Sequence, residues 1–132
     1  VHTVDRIKIA KRLNEARPTS KSPLNICIQI NISKEASKSG LAIDEAADFI
    51  NELKPLQNLT VRGLMALPAP STLLAEQRKP FAALRACMEK LRKIHPQLDS
   101  LSIGTTQDME AAIAEGATIV RIGTAIFGPR NA

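Results

Sequence analysis

The sequence predicts an α/β fold in which parallel strands alternate with helices in the manner of a (β/α)8 barrel rather than an open doubly wound sheet. Strand-like and helix-like segments alternate along the whole chain with short joins, the pattern of a parallel sheet covered by helices. The later strands also put polar and apolar residues on opposite faces. Arg62, then Ser100 and Ser102, then Arg121 with Gly123 take one side, while Leu101 and Ile103, then Val120 and Ile122, take the other. A sheet between two helix layers would be apolar on both faces, so a polar inner face fits a barrel lumen better. Length sets the third constraint. A whole barrel of this kind takes about 250 residues, whereas 132 residues hold four strands and a stub.

The elements follow in order. The opening "VHTV" reads as the end of a strand and runs into a helix. Residues 24–32, "LNICIQINI", alternate strictly, with Ile26, Ile28, Ile30 and Ile32 opposite Cys27, Gln29 and Asn31. "IDEAADFINELKPL" spaces Ile43, Ala46, Ala47, Ile50 and Leu53 as one helical face, and Pro55 closes it. "LTVRGLMAL" is the next strand, ended by "PAP". A long helix is expected from Leu73 to Ile94, interrupted or restarted near Pro80. "LDSLSIG" is again a strand, and "QDMEAAIAEG" is a helix with Asp108 and Glu110 in its first turn and Gly116 as its stop. "ATIVRIG" is the last strand, and "TAIFGPR" begins a turn or short helix.

With 44% hydrophobic residues, residues 1–132 can bury one core as a single domain. Three Phe and no Trp or Tyr leave little to stack on bases, so a nucleic-acid reader is disfavoured. The formal charge of +5 is spread out, and its densest part, Arg6, Lys8, Lys11 and Arg12, reads as a solvated helix face ahead of an anion patch. Cys27 and Cys87 belong to no metal or redox motif. No apolar run approaches the ~20 residues of a membrane span, and no signal peptide opens the chain, so a cytoplasmic protein is expected.

The chemistry concentrates near the end. "SIGTTQD" and "RIGTAIFG" follow consecutive strands, and loops after the last two strands of such barrels commonly bind phosphate. Gly123 lets the backbone approach an oxygen closely, and Ser102, Thr106 and Thr124 add hydroxyls. The bland alternative for these hydroxyls is helix capping. Arg121, mid-strand and facing inward, needs an acceptor: a ligand, or a carboxylate such as Asp99 or Asp108.

The stretches "VHTVDR", "LNICIQINISKEASKSG", "VRGLMALPAP" and "LSIGTTQDMEAAIAEGATIVRIGTAIFG" together resemble the pyridoxal 5′-phosphate homeostasis protein family over essentially the whole chain. That family is similar to the N-terminal barrel domain of alanine racemase. The resemblance implies an α/β fold that is the C-terminal half of a (β/α)8 TIM-type barrel, about strands 4–8. It also implies a cofactor carrier that binds pyridoxal 5′-phosphate through a Schiff base without established turnover. Ser102, Gly123 and Thr124 would hold the cofactor phosphate with Thr106 as helper, Arg121 would sit by the pyridine nitrogen, and Met65 and Ile122 would line the pocket. Lys38 would lie on a mobile loop near the mouth. A guanidinium cannot accept the ring proton, which disfavours the charged ring and suits a carrier better than a transaminase.

The sequence departs from the family pattern in two places. The usual "G-M-S" reads Gly104-Thr105-Thr106, and the half bearing the lysine strand "V-S-K-T-K" and the "G-E-N-Y" loop has no counterpart. The chain, which starts without Met, is therefore expected to be a truncated piece whose open strand edges favour self-association, with pyridoxal phosphate-dependent apoenzymes as recipients of the cofactor. Two other classes remain in view. A sugar-phosphate epimerase-type barrel would need metal-ligating His and paired Asp, for which only His2 and His95 are present. An inert half-barrel acting as an interaction module needs no ligand at all.

Overall fold

The computed structural model describes residues 1–131. Helix α1 (Ile7–Ala16) leads into β1 (Leu24–Ile30), and a 3₁₀ turn (Ile43–Glu45) opens α2 (Ala46–Leu53). Strand β2 (Leu59–Ala66), helix α3 (Leu74–Arg92), strand β3 (Ser100–Ser102), helix α4 (Met109–Ala114) and the short α5 (Thr124–Phe127) complete the order. The strands pair in parallel in the order β1-β2-β3. No helix of the described residues is long and apolar enough to cross a membrane.

Helices cover one face of this sheet. Ile26, Ile28 and Ile30 of β1, Leu64 and Ala66 of β2, and Leu101 of β3 share one apolar cluster with Ala10, Phe49, Ile50, Phe81, Leu84 and Ala111 of the helices. Cys27, Gln29, Met65 and Ser102 are buried but lie on the opposite face, outside that cluster. The strands are therefore two-sided, as the sequence alternation required. The basic residues Lys8, Lys11 and Arg12 are exposed on α1 and Arg6 is exposed just ahead of it, which fits their reading as a solvated face.

Several expectations are corrected. Helix α3 runs unbroken through Pro80. A mid-helix proline costs about 3 kcal/mol, but Phe81, Leu84, Met88 and Leu91 all lie on the buried stripe, and that packing holds the helix together. The last expected strand, 117–123, forms only an isolated bridge between Ile119 and Ser102, and no described residue pairs with its far edge. Arg62 stands at an irregularity of β2, between Val61 and Gly63. It is the extra residue of a β-bulge, since Ile26 pairs with Val61 but Cys27 pairs with Gly63. From there its guanidinium grips the Asp99 carboxylate, with Nε donating to Oδ1 at 3.0 Å.

The loop after β1 is tied internally. Asn31 Nδ2 donates to the carbonyls of Glu35 (2.7 Å) and Lys38 (3.2 Å), and Asn31 Oδ1 accepts from the Glu35 amide. Gly40 closes it with φ +122, where an added Cβ would lie 2.6 Å from the Asn31 nitrogen. Gly40→Ala is expected to cost about 1–3 kcal/mol through this strained conformation. A guanidinium unfolding midpoint equal to that of the parent chain would show that the loop yields instead.

Candidate functional site

The strands end on one rim, and three adjoining clefts run along it. The first, about 500 Å³, lies by Asp5, Arg6, Gln29, Asn31 and Lys38. The second, about 280 Å³, lies between Lys38, Ala66, Gly104 and Asp108. The third, about 480 Å³, gathers Thr106, Arg121, Gly123 and Thr124 from the two loops singled out in the sequence. Binding at the C-terminal ends of parallel strands is the general rule for such sheets.

Local structure explains how the third cleft forms. Gly104, at φ +99, turns the chain away from β3, and its Cβ position would meet Ala112 Cβ at 2.7 Å, so α4 packs directly on it. Asp108 Oδ1 then accepts from the Thr105 amide at 2.7 Å and from the Thr105 hydroxyl at 3.1 Å, which fixes the loop. The Thr106 hydroxyl accepts from the Ala125 amide at 3.3 Å and links this loop to α5. That contact is a capping interaction supplied from a neighbouring loop, so the bland alternative holds in part for Thr106. Thr124 makes no side-chain hydrogen bond among the described residues.

Arg121 finds neither carboxylate that the sequence offered. Asp99 is taken by Arg62, and Asp108 by Thr105. Instead Arg121 Nη2 donates to the carbonyls of Ala66 at 3.0 Å and Ser102 at 3.3 Å, and its buried Nε has no partner among the described residues. Burial lowers its pKa from the ordinary value, while the Asp108 charge opposes that shift. A half-buried guanidinium satisfied only by neutral carbonyls retains donor capacity and charge for an anion or a ring acceptor.

The other expected residues are placed differently. Ser102 is fully buried, with its Oγ 2.8 Å from His2 Nδ1, and Met65 is buried beside it on the helix-free face. Ile122 is half-buried, and none of these three lines the third cleft. Lys38 does stand at the mouth, between the first two clefts. Its Nζ donates to the carbonyls of Leu67 (3.2 Å) and Pro68 (3.4 Å) and pairs with Glu35 at 3.0 Å, so it is held in place.

Sequence reasoning missed Gln107, Phe127 and Arg130 in the third cleft. A basic residue directly after the Gly-Pro turn was the available signal for Arg130. It also dismissed His2, which the structure brings to Ser102 across the sheet. Burial first, then the terminal ammonium and the Arg121 charge, lower the His2 pKa from its ordinary value. Burial raises the pKa of both thiols, Cys27 and Cys87, which are free. Among the described residues no group of three or more His, Cys, Asp or Glu side chains is arranged to hold a metal ion.

With this geometry in hand, comparison with known proteins is specific. The family model described as "Alanine racemase, N-terminal domain" matches residues 1–131. The pyridoxal phosphate homeostasis protein of Haemophilus influenzae is 52% identical over 133 residues, covering 99% of this chain and 56% of the relative. That of Pseudomonas aeruginosa is 53% identical over 131 residues, with the same coverages of 99% and 56%. The chain therefore spans about half the length of the curated relatives it matches. Among solved structures, PipY of Synechococcus elongatus with pyridoxal phosphate bound superposes with a TM-score of 0.82 at 31% identity, covering 96% of this chain and 59% of that one. Alanine racemase of Clostridium difficile shares the fold at 15% identity and a TM-score of 0.76, covering 100% of this chain and 35% of that one. By its sequence from end to end, its parallel sheet and its structural neighbours, the chain belongs to the alanine racemase N-terminal domain family, alongside the pyridoxal phosphate homeostasis proteins.

Proposed function

We propose that the chain forms the phosphate and ring-nitrogen side of a pyridoxal 5′-phosphate site in a cofactor-carrying protein. Its helix-free face is then the lumen wall of the C-terminal half of a (β/α)8 barrel. The observation that carries this reading is the third cleft, where two loops from successive strand ends converge Thr106, Gly123 and Thr124 on the partner-poor guanidinium of Arg121. This donor set fits the cofactor. Backbone amides at Gly123 and Thr124 with the Thr124 hydroxyl suit a phosphate dianion, and Arg130 adds charge. Arg121 suits a neutral ring nitrogen, to which it donates and from which it can take no proton.

Bound pyridoxal phosphate supplies an aldehyde and an electron-poor ring. The residues of this chain bind and orient it and keep the ring nitrogen unprotonated. In this reading Met65 and Ile122 would flank the ring, and Ser102 would act through the His2 imidazole that it contacts at 2.8 Å. Release to pyridoxal phosphate-dependent apoenzymes suits a site that holds the cofactor without activating it. The names of the relatives and the cofactor bound to PipY support the same reading.

Calorimetric titration with pyridoxal 5′-phosphate tests it. The Thr106→Ala/Thr124→Ala variant is expected to bind about tenfold or more weakly, the worth of one to two hydrogen bonds to a charged group. Equal affinity in the parent chain and the variant would place the cofactor elsewhere.

A further inference from the structure

The segment ahead of α1 pairs with β1 through an irregular ladder. The Val4 carbonyl accepts from the Gln29 amide at 3.0 Å, and the Val4 amide donates to the Cys27 carbonyl at 3.4 Å, so Val4 lies opposite Ile28. In a regular ladder the Cys27 amide would then reach the carbonyl two residues before Val4, that of His2. It reaches Val1 instead, at 2.8 Å. One extra residue is therefore accommodated, which makes the segment a bulge. Without it, His2 would share the helix-packed face of Val4, because side chains two apart on a strand point the same way. With it, His2 turns to the other face and meets Ser102.

Burial ranks the pair. Ser102 is 0% exposed, whereas His2 is half-buried. The imidazole covers the hydroxyl, so the group that this wall offers to a ligand is the ring of His2. With Nδ1 engaged by Ser102, Nε2 lies on the opposite edge of the ring and has no protein partner among the described residues. Arg121 is bonded to the carbonyl of the same Ser102 at 3.3 Å, and its charge acts on the imidazole. A histidine whose one nitrogen is fixed by a hydrogen bond has its tautomer and orientation set for work at the other.

We propose that His2 is a ligand-facing residue of this site: Ser102 orients its imidazole, which presents the Nε2 edge beside Arg121 to the ring end of bound pyridoxal 5′-phosphate. This rests on the cofactor reading above and reassigns Ser102 from phosphate ligand to positioning residue. The depressed pKa keeps the ring neutral near pH 7, so it acts through hydrogen bonding and ring contact rather than charge.

The experiment compares two probes, inorganic phosphate and pyridoxal 5′-phosphate, on the full chain by nitrogen-edited NMR of the backbone amides and the two histidine rings. Both probes are expected to move the Thr124 amide. Only pyridoxal phosphate is expected to move the His2 ring, and His95, buried after α3, is expected to move with neither. Ser102→Ala is expected to change the His2 tautomer signature. His2→Leu is expected to weaken pyridoxal phosphate about two- to tenfold, the range of one neutral hydrogen bond, and to leave inorganic phosphate unchanged, while His2→Gln restores part of the loss. If both probes move Thr124 and neither moves His2, the inference falls and the cofactor reading stands. If saturating pyridoxal phosphate moves neither group, the cofactor reading falls and takes the inference with it.

Discussion

Gly63→Ala is expected to destabilise the fold by about 3–5 kcal/mol, in the range of the most damaging single substitutions. An added Cβ would lie 1.6 Å from the Ser100 carbonyl oxygen and 2.5 Å from its carbon, both backbone atoms that no side-chain rotation can clear. The clash falls on the first of only three rungs that join β2 to β3: Gly63 with Ser100, Leu64 with Leu101 and Met65 with Ser102. The cause lies one residue earlier. The bulge at Arg62 increases the local twist and swings the Gly63 position over its neighbour, so only a residue without Cβ fits. Domains of this size are stable by about 5–15 kcal/mol, so the loss removes a large share of the total. Denaturant unfolding measures it. Gly123→Ala is the control, because its Cβ would meet nothing within 4 Å and its φ is −117. It is expected to leave stability within about 0.5 kcal/mol while narrowing the third cleft and weakening pyridoxal phosphate. Equal stability losses in the two variants would show that glycine flexibility, not the β2–β3 approach, is what matters.

The same bulges mark where sequence reading stopped. Alternation of Ile26, Ile28 and Ile30 against Cys27 and Gln29 was legible because each strand residue reports its own face. So was the pairing of "GTT" with "GT" at one rim, since parallel strands bring consecutive loops to the same end. A bulge has no such local signature. Whether Arg62 is an extra residue depends on how far Cys27 slides along β2, and whether His2 turns inward depends on where Val1 meets Cys27. Both are decided by pairings between segments distant in sequence. The expected carboxylate partner for Arg121 failed for a related reason. Once Arg62 is bulged at the lower end of β2 it claims Asp99, and Arg121 is left to the carbonyls of Ala66 and Ser102. Pro80 shows the reverse case, in which a strong local signal yields to the burial of Phe81 and Leu84.

Arg121→Leu is expected to lower affinity for pyridoxal 5′-phosphate by about 10- to 100-fold, the worth of one hydrogen bond to a charged group, about 1.5–3 kcal/mol. Two opposing changes in the ligand-free fold make the variant informative. Leucine removes a buried Nε that has no partner, which by itself relieves a desolvation cost. It also strips the donor from the carbonyls of Ala66 and Ser102, which costs about as much. Thermal stability is therefore expected to change by little more than about 1 kcal/mol while binding changes far more. A residue whose role was structural would show the opposite balance. Arg121→Lys separates charge from shape. The ammonium keeps the positive charge but cannot reach both carbonyls and a ligand from one planar fork, so it is expected to recover inorganic phosphate affinity more fully than pyridoxal phosphate affinity. Because the guanidinium stays charged far above neutral pH even after burial lowers its pKa, the binding that depends on it is expected to be flat between about pH 6 and 9 apart from ionisation of the ligand itself. If Arg121→Leu binds as the parent chain does but melts much lower, Arg121 is a strut between β2 and β3, and the ring nitrogen must be held by another group.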